Sequence, residues 1–211
     1  MEIVLFDSLP STQVFLLQAI AEQTLSAPVA IMTKEQTFGI GSRDNDWSGE
    51  EGNFFASFAI PLKDLPEDMP LSSASIYFAY LMKKVLLDFE PDVWIKWPND
   101  IYIENEKIGG VITKKVEDIL VCGIGTNLKN SQNSYRALQS DISPELLLNN
   151  YLKALEKYPK WKQIFSEYRV EFERSKKFSV HIENYEKSLS DAVLCDDGSL
   201  LLEGRKVYSL R

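Results

Sequence analysis

Val93-Trp94-Ile95-Lys96-Trp97-Pro98-Asn99-Asp100-Ile101-Tyr102-Ile103 reads as two short strands broken at Pro98-Asn99-Asp100. Proline cannot donate to a ladder, so the break marks a strand end. Past Glu104-Asn105-Glu106 the chain returns as Lys107-Ile108-Gly109-Gly110-Val111, which pairs back on Ile101-Tyr102-Ile103 as a hairpin. Residues 119–125 form another buried strand. A sheet is thus the centre of the fold.

Three features of this sheet carry chemistry. Lys96 and Asp100 flank the break, a pairing suited to a phosphate and a divalent ion. Paired glycines weaken a strand unless something must approach its backbone, and Gly109-Gly110 are such a pair. Cys122-Gly123-Ile124-Gly125-Thr126-Asn127 ends a strand in small residues and an amide. Singly, each also reads as a turn, a bulge or a strand end. Together, with Gly39-Ile40-Gly41 upstream, they point to a phosphate-bearing ligand held against a sheet.

Outward from this centre, an apolar stripe follows Ser11-Thr12, and Ser11 is placed as the helix N-cap. Residues 28–33 and 53–61 read as strands. Residues 38–52 read as a long Gly-, Asp- and Ser-rich loop of the kind that is often functional. Residues 71–89 form the clearest helix, and residues 143–158 and 160–174 form two more, split at Pro159. Residues 127–141 are loop-like. From residue 176 the text changes to short alternating strands. The pattern predicts an α+β fold: a central mixed sheet with helices on one face, residues 1–175, then a small all-β domain, residues 176–211.

Composition removes several functions. The chain has 211 residues, is 45% apolar and carries a net charge of −8. Such a chain offers no basic stripe for nucleic acid or an anionic membrane. No apolar run reaches the ~20 residues of a membrane span, and the N-terminus shows no secretory signal. The reading is a cytoplasmic globular protein. The only histidine is His181, in an alternating strand that leaves it on the surface. Cys122 and Cys195 sit in apolar runs as buried thiols. No zinc spacing and no Ser-His-Asp set is present. The chemistry then rests on backbone amides, Lys, Arg and a metal ion.

Lys96–Asp100, Lys107-Ile108-Gly109-Gly110-Val111 and Gly123–Asn127 resemble the core of the biotin protein ligases, with Ser11-Thr12, Gln36, Gly39-x-Gly41 and Trp47 in matching order. The resemblance implies a class II synthetase-like fold, shared by biotin and lipoate ligases, with a small C-terminal SH3-like barrel. It implies two steps. The biotin carboxylate attacks the α-phosphate of ATP to give biotinoyl-5′-AMP and pyrophosphate. A lysine of a biotin carboxyl carrier protein then takes the biotinoyl group and releases AMP. No enzyme nucleophile is needed.

By the same resemblance, Ser11, Thr12, Gln36, Gly39, Gly41, Trp47, Lys107, Gly110, Gly123 and Ile124 surround biotin. Arg43, Lys96, Asn99, Asp100 and Asn127 meet ATP, with Asp100 and Asn127 on the Mg²⁺ side. Lys107, Lys96 and Arg43 are the catalytic cations. The family loop reads Gly-Arg-Gly-Arg-Arg-Gly-Arg; here Ile40, Ser42 and Asn45 replace three arginines. Arg43 is expected to take the clamp role lost at Ser42, with weaker ligand affinity. No room is expected for the DNA-binding domain of bifunctional members. A homodimer through the sheet is compatible with the family, as is carrier docking along a strand edge. Lipoate or octanoate ligases and transferases of the same architecture, and a biotinoyl-AMP-holding protein without turnover, remain as alternatives.

Overall fold

The computed structural model describes residues 1–41, 46–129, 136–138, 141–182 and 185–208. Strand β1 (Glu2–Leu9) leads into helix α1 (Thr12–Ala21) and strand β2 (Val29–Ile40). β1 and β2 pair in parallel across that helix. Every other described pairing is antiparallel, so the sheet is mixed. β3 (Asp46–Gly49) folds back on the end of β2, and β4 (Phe54–Pro61) follows. Then come helix α2 (Ala74–Leu86), β5 (Val93–Lys96), β6 (Asp100–Ile103), β7 (Glu106–Val116) and β8 (Ile119–Thr126). The strand order is β1-β2-β4-β8-β7-β6-β5, with β3 attached to β2.

Helices cover both faces of this sheet, not one as the sequence suggests. Along β4, Phe54, Ala56, Phe58 and Ile60 pack with α2, α3 (Pro144–Leu155) and α4 (Trp161–Ser175). Ala59 and Val121 point the other way, against Leu16 and Ile20 of α1. Strand alternation divides one buried strand between two cores. Apart from Ser57, β4 is an apolar run without a clear period, so its sequence does not show that it serves two faces.

Ser11 caps α1 by accepting the Val14 N–H at 3.4 Å, and Ser143 caps α3 by accepting that of Leu146 at 3.2 Å. Asp68 accepts both N-terminal amides of α4, from Trp161 and Lys162, at 3.0 and 3.1 Å. Such caps satisfy donors that have no partner within the helix.

The C-terminal segment forms two small antiparallel sheets. β9 (Ser179–Ile182) pairs with β10 (Tyr185–Ser188), and β11 (Val193–Leu194), β12 (Leu200–Leu202) and β13 (Arg205–Val207) form the second. The small antiparallel strands expected at the C-terminus are present; no closed barrel is found among the described residues. Val180, Leu189, Leu200 and Leu202 join the main core. Two indoles fasten the 195–199 turn to the body: Trp161 donates to the Asp196 carbonyl at 3.1 Å and Trp97 to that of Gly198 at 2.9 Å. Cys122 is buried, whereas Cys195 in that turn is only half-buried. His181 is exposed on β9, as expected.

Candidate active site

Pairing register builds the site. Ile101 faces Gly109 and Tyr102 faces Lys107, so Ile108 is an extra residue in β7. Side chains alternate along a strand, and without this bulge Lys107 and Gly110 would project from opposite faces. The bulge puts both beside Asp100 and sends Ile108 into the core. A cross-strand row then runs through Phe55, Gly125, Gly110, Asp100 and Lys96 on β4, β8, β7, β6 and β5. Ser57, Gly123 and Ile112 form the next row. The glycines leave this face of the sheet hollow.

The hollow is a narrow cleft of about 40 Å³. Trp47 walls one side. Its ring lies against Gly125, where a Cβ would sit 2.8 Å from the indole nitrogen. At the charged end, Lys107 Nζ pairs with Asp100 Oδ1 at 2.6 Å and lies 5.6 Å from the centre of the Trp47 ring.

The other end is polar. Gln36 Oε1 accepts from the Thr12 N–H at 2.8 Å and the Thr12 hydroxyl at 3.1 Å, and the Ser57 hydroxyl donates to Thr12 at 2.9 Å. Ser11 lines the cleft beside them. Gln13 was not foreseen from sequence. Its amide nitrogen donates to the Val121 carbonyl at 3.4 Å, while its buried Oε1 has no partner among the described residues. The Trp47 indole N–H is likewise buried and unpartnered. Buried polar atoms without partners are rare in native folds, so an acceptor and a donor orphaned in one cleft point to a ligand.

Of the sequence-derived residues, Ser11, Thr12, Gln36, Gly41, Trp47 and Lys107 line the cleft, as do Asn99, Asp100, Gly110, Gly123 and Ile124. Gly39 lies outside it, where a Cβ would sit 2.6 Å from the Trp47 carbonyl in the β2–β3 pairing. Lys96 shares the face of Asp100 but lies beyond the cleft lining, its ammonium 5.6 Å from the Tyr102 ring and 5.7 Å from the Phe178 ring. Arg43 and Ser42 lie outside the described residues.

The Asn127 side-chain amide donates to the Arg136 carbonyl at 3.3 Å and its backbone N–H to Ile108 at 2.7 Å, while Asp100 is engaged by Lys107. Asn127 therefore also ties the end of β8 to the 136–138 segment. Among the described residues no cluster of three His, Cys, Asp or Glu side chains exists. Burial pushes the Cys122 thiol well up, which leaves it a poor nucleophile.

Residues 5–127 match the Biotin/lipoate A/B protein ligase family. The chain belongs to that family. The biotin acetyl coenzyme A carboxylase synthetase of Helicobacter pylori, solved with bound biotinylated ATP, superposes with a TM-score of 0.94 at 38% identity, covering 98% of this chain and 99% of that one. Biotin–protein ligase 2 of Arabidopsis thaliana is 30% identical over 141 residues, 58% of this chain and 43% of its own length. This chain thus spans less than half of that curated relative. The biotin protein ligase of Aquifex aeolicus, solved with biotin and ATP, shares the fold with a TM-score of 0.77 at 20% identity, over 100% of this chain and 96% of that one.

Proposed function

We propose that this protein activates biotin with ATP to biotinoyl-5′-AMP and transfers the biotinoyl group to a lysine of a biotin carboxyl carrier domain. The observation that carries this reading is the two-ended cleft: a lysine–aspartate pair at one end, an orphaned amide oxygen among hydroxyls and amides at the other. Biotin has that same division. Its carboxylate suits the Lys107 ammonium, and its cyclic urea offers the N–H donor that Gln13 Oε1 lacks among the described residues. The hydroxyl of Ser11 and the amide of Gln36 complement the urea carbonyl. The glycine floor and Trp47 accept the apolar ring and chain between them.

In the first step the carboxylate oxygen bonds to the α-phosphorus and pyrophosphate leaves. Lys107 stabilises the negative charge that gathers on the phosphate, and Asp100 fixes the position of that ammonium. In the second step the carrier amine attacks the acyl carbon and AMP departs. Lys96 serves the nucleotide phosphates from the edge of the row. Mg²⁺ enters as the counter-ion of ATP, with no protein ligand assigned. The carrier's approach along a strand is supported by β7, where Ile112–Val116 pair with β8 alone among the described strands. No helix among the described residues is long and apolar enough to cross a membrane. Use of ATP and the two free thiols support a cytoplasmic location.

Pyrophosphate release with biotin, lipoate and octanoate tests the substrate, and transfer of labelled biotin to an apo carrier domain tests turnover. Biotin is expected to support both. Lipoate and octanoate leave Gln13 Oε1 unpaired in a buried site and are expected to fall behind by 10²-fold or more, the order seen when a buried polar group loses its partner. Equal rates with lipoate would remove the biotin assignment.

A further inference from the structure

Lys96 leaves the cleft row toward a set of aromatic rings, and one of them comes from the C-terminal segment. Trp94, Tyr102 and Phe178 lie with ring centres 5.3 to 5.6 Å apart. The Lys96 ammonium sits over both Tyr102 and Phe178. Phe178 is held against the same stretch by the backbone. Its N–H donates to the Ser175 carbonyl at 3.0 Å, and the Ser175 hydroxyl accepts the Trp97 N–H at 3.1 Å. The Leu189 N–H closes on the Phe178 carbonyl at 2.9 Å. Ring and ammonium are thus registered to each other through one serine.

We propose that Phe178 is a positioning residue for Lys96, through which the C-terminal segment orients a nucleotide-phosphate cation without touching the nucleotide. This rests on the role given to Lys96 above. A lysine loses much rotamer freedom when it is held at one point. The negative faces of Phe178 and Tyr102 restrict it to the margin of the Asp100 row.

The test is steady-state pyrophosphate release by Phe178→Leu, Phe178→Tyr, Lys96→Ala and the Phe178→Leu/Lys96→Ala double variant. Phe178→Leu keeps apolar bulk and removes the ring. It is expected to raise KM for ATP roughly two- to thirty-fold, the range for one cation–ring contact. KM for biotin is expected to stay within about twofold, which also certifies the fold. Phe178→Tyr restores the ring and the wild-type KM. In the Lys96→Ala background, Phe178→Leu adds nothing further. With Lys96→Ala impaired, full additivity, or an equal defect in Phe178→Tyr, overturns the role of Phe178 alone. A Lys96→Ala protein with wild-type ATP kinetics removes the nucleotide role of Lys96 and this inference together.

Discussion

Lys107 and Gln13 occupy opposite ends of one cleft and should fail in different ways. On the proposed reaction Lys107 answers charge that grows on the phosphate, so its loss falls on the transition state. Lys107→Ala is expected to lower kcat for adenylate formation by about 10²- to 10³-fold. It also strands Asp100 as an unpaired carboxylate in the cleft. Gln13 answers a group that does not change during reaction. Gln13→Leu is expected to raise KM for biotin about tenfold or more while kcat holds, since the urea then loses a buried acceptor. Single-turnover and steady-state assays separate the two. An untouched adenylation rate in Lys107→Ala would place the active centre elsewhere.

Elements set these residues at the right height, and Gly198 shows how. It sits at φ +79 in the turn that receives the Trp97 indole, and a Cβ there would lie 2.5 Å from Ser73 Oγ. Gly198→Ala therefore meets a left-handed backbone and a clash at once. It is expected to cost about 2 kcal/mol, seen as a thermal midpoint lowered by ~5 °C. An unchanged midpoint would show that the turn yields freely. The break at Pro98 and the glycine pairs were legible in sequence because each violates a strand rule. So were the cap at Ser11, and α2 to within a few residues of its ends. β1 was not legible: Glu2–Leu9 is an edge strand half open to solvent, with no clear alternation, and its partner β2 is reached only through α1. β2 also runs on to Ile40 and pairs with β3, where composition reads as loop. Gln13 was invisible because its meaning depends on Val121, 108 residues away.

At the scale of the molecule, two carboxylates order the C-terminal half, one at the start of α4 and one inside the 195–207 segment. Asp68 accepts the first amides of α4, and Asp197 accepts the Ser199 amide at 3.2 Å and pairs with Lys206 at 2.7 Å. Burial alone would raise both acids. For Asp68 the amides of Lys162 and Trp161 outweigh it, and for Asp197 the bonds from Lys206 and Ser199 do, so both lie below their ordinary value. A carboxyl depressed in the folded state binds fewer protons there than in the unfolded chain. Its contribution is therefore complete above the unfolded value of 3.8 and disappears as pH falls through the folded one. Asp68→Asn/Asp197→Asn is expected to lower the thermal midpoint at pH 7 yet approach the wild-type midpoint near pH 2, with a shallower acid limb between. Because α4 and the 195–199 turn hold Ser175, Phe178 and the Trp97 contact, the double variant should also lose ATP affinity before it loses global structure. Parallel acid limbs in wild type and variant would show that these two carboxylates do not bear the acid sensitivity of the fold.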